Sequence, residues 1–213
     1  MKLLRLPRRP RECPDCAREA EIGFSREAYM SWLLGNVARH GWAVSGVVDA
    51  GLGPPWAFSV GLWANVGHPD LAAFGLPYGE IRRLINCLAG RVSGPREEAF
   101  SLGEEVGGAG PRRLAIRPVH ESWRDTPIFL VSDEFHGCIR PPIYQVAWAD
   151  PAGRFPGAPG YEPASADDQP MLWLPLDDHP PGPWTRLARL DETDRRQPRV
   201  KGPRSRHRAR GLG

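Results

Sequence analysis

Between residues 25 and 92 the apolar positions follow two spacings, one helical and one of extended chain. From Ser25 to Arg39, Tyr29, Trp32, Leu33, Asn36 and Val37 fall at the helical interval, which predicts a helix. Ser25 is placed to cap its start and Gly41 to end it. Trp42 to Val48 shifts to β-favouring residues, and the cluster Gly51, Gly53, Pro54, Pro55 turns the chain into a second such run, Trp56 to Trp63. These read as an antiparallel pair with a loop longer than a tight hairpin. After a loop at Ala64 to Pro69, a third short strand is expected at Asp70 to Leu76. Pro77 then opens the clearest helix, Tyr78 to Val92. Its Ile81, Leu84, Ile85, Leu88 and Val92 form one stripe, with Arg82, Arg83 and Arg91 off it.

Beyond that helix the pattern weakens. Ser93 to Pro111, rich in Gly, Glu and Pro, reads as a loop, and further strands are expected at Arg113 to Pro118, Ile128 to Ser132 and Ile143 to Ala149. The turn sequence Asp150-Pro151-Ala152-Gly153 closes the last of these. Phe155 to Asp168 is irregular, and Met171 to Leu174 is short enough for an edge strand. The order of elements predicts an α+β fold, with a mostly antiparallel, barrel-like sheet of about six strands and two main helices.

Composition supports this reading and locates the charge. The chain has 213 residues, 41% of them hydrophobic, which is enough for one core, and its 24 Gly and 24 Pro argue against a helical bundle. The net charge of +3 conceals a segregation. Residues 1 to 12 carry +4 and residues 195 to 213 carry +8, which leaves −9 on residues 13 to 194. The predicted organisation is therefore an acidic domain at 13–194 between two basic, disordered tails at 1–12 and 195–213. Such tails attract nucleic acid or anionic surfaces by charge alone. Aromatic residues for base stacking are missing between Arg195 and Arg210, however. No apolar run is long enough to span a bilayer, and the N-terminal MKLLRLPRRP lacks the apolar core of a secretory signal. The expectation is a soluble cytoplasmic protein with no membrane partner, whose four cysteines are reduced.

The candidate chemistry sits at predicted strand ends. His40-Gly41-Trp42 lies where the first helix meets the first strand, and Gly67-His68-Pro69-Asp70 lies at the entrance to the third. If the strands pair as predicted, His40 and His68 approach one rim of the sheet. With the Asp70 carboxylate they would then form an acid–base or metal-ligating group. Trp42, Trp56 and Gln145 are the candidate ligand-binding residues, as aromatic walls and a polar anchor. Cys13-Pro14-Asp15-Cys16 has the spacing of half a zinc site, but no second pair follows, so no metal is expected. Gly107-Gly108-Ala109-Gly110 lacks the Lys-Ser/Thr ending of a phosphate-binding loop, and no Gly-x-Ser-x-Gly elbow occurs.

A set of ordered motifs carries a resemblance. His40-Gly41-Trp42, Pro55-Trp56-Ala57-Phe58-Ser59-Val60-Gly61-Leu62, Gly67-His68-Pro69-Asp70-Leu71 and Phe74-Gly75-Leu76-Pro77 lie in the first half. Gln145-Val146-Ala147-Trp148-Ala149-Asp150, Gly153-Arg154-Phe155-Pro156 and Gln169-Pro170-Met171-Leu172 follow. Together they resemble the bacterial domain-of-unknown-function family 4262, over about residues 31–174. Phe58-Ser59 stands where Tyr-Thr is common in that family, and Asp70 where Glu is common. The resemblance implies a domain boundary and no activity, and the cysteine pair and both tails fall outside it.

Three classes of function stay open at this point. The first is a domain binding an unidentified small molecule or protein in a pocket rimmed by His40, Trp42, Trp56, His68, Asp70 and Gln145. A second is an enzyme using His68 and Asp70 for acid–base chemistry, or a flavin, the latter by analogy of fold alone. The third is a module that binds a basic protein through its acidic body or nucleic acid through its tails.

Overall fold

The computed structural model describes residues 25–48, 53–95, 99–107, 112–137, 139–162 and 169–190. The basic tails and the Cys13/Cys16 pair lie outside the described residues. In chain order the elements are α1 (Arg26–His40), β1 (Ala43–Val47), β2 (Trp56–Val60), α2 (Leu62–Val66), β3 (Asp70–Phe74), α3 (Tyr78–Val92), β4 (Glu105–Val106) and β5 (Leu114–Pro118). Two 3-10 turns follow, Glu121–Trp123 and Pro127–Phe129, and then α4 (Leu130–His136), β6 (Ile143–Trp148) and α5 (Pro183–Ala188).

The six strands form one sheet in the order β1-β2-β3-β6-β5-β4. Its strands alternate their side chains between two apolar layers, as the pleat requires. Val44, Ala57, Leu71, Ala73, Val146 and Trp148 face one layer, where they meet the α3 stripe of Ile81, Leu84, Ile85, Leu88 and Val92. Ala43, Trp56, Phe58, Ala72, Phe74 and Ile143 face the other, where they meet Leu33 and Val37 of α1, Ile128 and Phe129, and Trp184 and Leu187 of α5. α1 is capped by the Ser25 side chain, which accepts Ala28 N–H, and it ends at Gly41, left-handed at φ 89°.

The sheet corrects the expectation of a mostly antiparallel, barrel-like arrangement. β3 and β6 pair in parallel at the sheet centre, with Asp70 opposite Ile143 and Ala72 opposite Gln145, so the sheet is mixed. The long excursion from β3 to β6, through α3 and the β4–β5 pair, is what brings two parallel strands together. With apolar layers on both faces, β1 and β4 remain the two edges and the sheet stays open.

Local differences have local causes. Leu62–Val66 is a short helix because Gly61, at φ 104°, turns the chain out of β2, and Gly67 ends the helix in the same left-handed region. A Cβ on Gly61 would sit 2.8 Å from a Val37 methyl, so glycine is required there by space as well as by φ. Ile128 to Ser132, expected as a strand, forms the second 3-10 turn and the start of α4, with Pro127 at the first position. Its apolar run is too short to distinguish helix from strand by spacing. Met171 to Leu174 is a turn rather than an edge strand, closed by Leu174 N–H to Met171 O at 3.0 Å. β4 and α5 were not among the expected elements.

Candidate functional site

The structure disperses the residues expected to form a common rim. His40 is the exposed last residue of α1. Trp42, half-buried, donates its indole N–H to Asn86 Oδ1 at 2.9 Å and packs on the α3 side of the sheet. Trp56 lies on the opposite side, 2% exposed, with its Nε1 on Ile128 O at 3.3 Å. Gln145 is fully buried and spends both ends of its amide on backbone. Nε2 donates to Pro170 O at 2.6 Å and Oε1 accepts Leu172 N–H at 3.0 Å. It fastens the 169–172 segment to β6.

His68 is likewise occupied. Its Nδ1 lies 2.7 Å from Pro69 O, and Nε2 accepts Phe100 N–H at 3.3 Å, which places the ring proton on Nδ1. The ring meets Phe100 and Tyr144 edge-on, at 5.6 and 5.8 Å. Burial pushes its pKa below the ordinary histidine value, against the opposing pull of the Pro69 carbonyl and Asp70.

Asp70 takes a different imidazole as partner. Its Oδ2 is 3.3 Å from Nε2 of His136, at the end of α4, and both side chains are at most 4% exposed. Oδ1 accepts the Ser59 hydroxyl at 2.8 Å and Leu62 N–H at 3.1 Å. Gly61, the residue before α2, has no side chain to cap it, so Asp70 reaches across from β3 and satisfies a helix N-terminal donor in its place. Ser59 Oγ in turn accepts Leu71 N–H at 2.8 Å. Serine, aspartate and histidine meet here in the wrong order for nucleophilic catalysis. The hydroxyl donates to the carboxylate rather than to the imidazole, so the His136 ring is not placed to take its proton. The group ties together β2, α2, β3 and α4.

A cleft opens at the same end of the sheet. It has a volume of about 580 Å³ and is built from residues 119–125, which follow β5, and residues 140–143, which lead into β6. Val119 N–H donates to Ile143 O at 3.0 Å, and Asp70 N–H to Pro142 O at 3.1 Å, so the cleft floor is pinned to the sheet. Val119, Pro141, Pro142 and Ile143 supply an apolar wall, while His120, Ser122, Arg124 and Arg140 supply donors. His120 Nδ1 accepts Ser122 N–H at 3.2 Å, capping the first 3-10 turn. Ser122 Oγ, 2.9 Å from the same nitrogen, accepts Leu176 N–H at 2.9 Å. Arg124, deep in the wall, donates from Nη2 to Asp133 Oδ1 at 3.0 Å. Burial lowers the Arg124 pKa, with Asp133 and Asp70 pulling it back, and burial raises that of Asp133. The guanidinium stays charged all the same.

None of the cleft donors is among the residues anticipated from sequence, although the signal was of the kind applied to His68. His120 to Asp125 is, apart from Trp123, a polar stretch one residue after a strand that the sequence also places, and its partner Arg140-Pro141-Pro142 directly precedes another. Among the described residues, no group of three or more His, Cys, Asp or Glu is placed to hold a metal ion, and no helix is long and apolar enough to cross a membrane.

The model of a family described as a domain of unknown function (DUF4262) matches residues 36–162, more than half of the chain and the whole of the cleft. No curated protein and no solved structure matches.

Proposed function

Since this chain belongs to the DUF4262 family of domains of unknown function, we propose its role from geometry: it is a small-molecule-binding domain, and the cleft between residues 119–125 and 140–143 is its site. The observation that carries this reading is the cleft itself. Its volume of about 580 Å³ falls in the range of small-molecule sites, and one apolar wall faces a few convergent polar groups. Its floor is held by backbone hydrogen bonds to β3 and β6, so it is formed before a ligand arrives.

Thermal melting of the full chain against a panel of nucleotides, flavins, sugar phosphates and organic acids tests the reading. A compound present at 100 times its Kd stabilises the folded state by about 2.7 kcal/mol, which raises Tm by roughly 5–10 °C for a chain of this size. Pro142→Trp, at an exposed wall position, fills the cleft and abolishes the shift. A panel with no shifting compound, or a shift that survives Pro142→Trp, refutes the assignment.

A further inference from the structure

We propose that the cleft recognises an oxyanion, a carboxylate or phosphate group on a small organic molecule, held between Arg124 and Arg140. This rests on the cleft being a binding site and states what it binds. The Arg124 side chain is 7% exposed and lines the cleft. Among the described residues only Nη2 has a carboxylate partner, Asp133, while the guanidinium lies over the Phe129 ring at 5.5 Å. Nε and Nη1 are both buried and meet no acceptor among the described residues. A guanidinium cannot shed a proton to escape this, and buried donors without acceptors are among the costlier features of a folded chain. They are correspondingly rare in native structures. An acceptor delivered through the cleft resolves one of the two, since Nε–H and Nη1 point to opposite sides of the guanidinium and no single group bridges them.

The surrounding charges select the kind of acceptor. Arg140 comes from the other segment of the cleft and is near enough to Arg124 to disfavour its charge. Two like charges converging on one concavity favour an anion between them. Arg140 is engaged by Asp125 at 2.6 Å, but the two side chains are 58% and 69% exposed. A pair so open to solvent contributes little and exchanges readily for a ligand oxygen. His120 adds a third donor: because Nδ1 accepts Ser122 N–H, its ring proton is on Nε2. Against these stand Glu121 and Asp125, both exposed, so that solvent screens their charges, Asp125's included when Arg140 turns to the ligand. Planar guanidinium groups pair with carboxylate and phosphate oxygens in two-bond geometry that a neutral ligand cannot match. Val119, Pro141, Pro142 and Ile143 give the organic body of the ligand a surface to cover, so a bare inorganic ion would leave that wall unused.

Calorimetric titration of the full chain with phenyl phosphate, benzoate and benzyl alcohol tests the proposal. The two anions separate phosphate from carboxylate, and the alcohol is the neutral control of similar shape. At least one anion binds roughly ten- to a hundredfold more tightly than benzyl alcohol, the range expected of charge-assisted hydrogen bonds. Arg124→Lys and Arg140→Gln each remove most of that preference. Equal binding of anion and alcohol overturns the oxyanion assignment but leaves the cleft as a site, and so does an anion preference that both variants retain. If none of the three binds and the wider panel is also silent, both readings fall. Should Arg124→Lys not fold, Arg140→Gln, at an exposed position, decides alone, since an unchanged preference refutes the shared clamp.

Discussion

Asp70→Ala tests whether the buried Ser59–Asp70–His136 group is a structural lock. The substitution strands three groups at once: the Ser59 hydroxyl, Leu62 N–H at the start of α2, and His136 Nε2. Losing a helix cap costs about 1 kcal/mol, and each buried donor left unpaired adds about 1–3 kcal/mol. Against this, the buried carboxylate no longer has to be kept out of water, which returns part of the loss. Removing one member of a buried polar pair nets about 3–5 kcal/mol, a large share of the stability of an ordinary domain. Asp70→Asn keeps an acceptor for Ser59 and Leu62 but turns an amide N–H toward His136 Nε2 in place of the carboxylate oxygen, so it costs less than alanine, about 1–2 kcal/mol. Urea unfolding followed by tryptophan fluorescence measures both, with the slope checked for constancy between variants. Combined with Ser59→Ala in a double-mutant cycle, Asp70→Ala shows a coupling of about 0.5–3 kcal/mol. A loss under about 1 kcal/mol for Asp70→Ala, or strict additivity with Ser59→Ala, refutes the lock.

Two further predictions concern space and pH. Gly46→Ala puts a Cβ within 2.5 Å of Trp56 O, 2.6 Å of Ala57 Cβ and 2.7 Å of the Tyr78 ring, where backbone must shift. It lowers stability by about 1–3 kcal/mol, whereas Gly90→Ala on the open surface of α3 raises it by about 0.5–1 kcal/mol. Thermal melts that rank the two the other way contradict the packing. For pH, the His68 pKa is lower folded than unfolded, so between the two values the unfolded chain binds more protons and stability rises with pH. The contribution is complete above the unfolded value of about 6.5 and is lost as pH falls through the folded one. His179, also lowered by burial, acts in the same direction. The urea midpoint accordingly falls from pH 7 to pH 5, and His68→Gln flattens that slope; an unaltered slope in the variant rules out His68 as a source.

The elements that were legible in sequence are those whose periodicity outlasts local ambiguity. α3 follows its stripe from Tyr78 to Val92, and α1 its cap residues Ser25 and Gly41. The turn after β6 was legible for a chemical reason. Asp150 accepts the backbone N–H groups of Arg154 and Glu162 and pairs with the Arg154 guanidinium, and together these outweigh burial and hold its pKa below the usual carboxylate value. Short runs failed, as at Ile128 to Ser132, because a few apolar residues bounded by proline suit a strand and a buried turn equally well.

The sequence by itself determined that the chain is α+β, where its long helices and most of its strands lie, and the family to which it belongs. Those properties are written in local spacing and in ordered motifs. Only the tertiary structure decided that β6 joins β3 in parallel, that Asp70 meets His136 rather than His40 or His68, and that Arg124 and Arg140 share a cleft. Each of these depends on segments far apart in sequence meeting in space. Which of several histidines ends beside a given carboxylate is settled by the packing of α4 on the sheet, about which residue spacing says nothing.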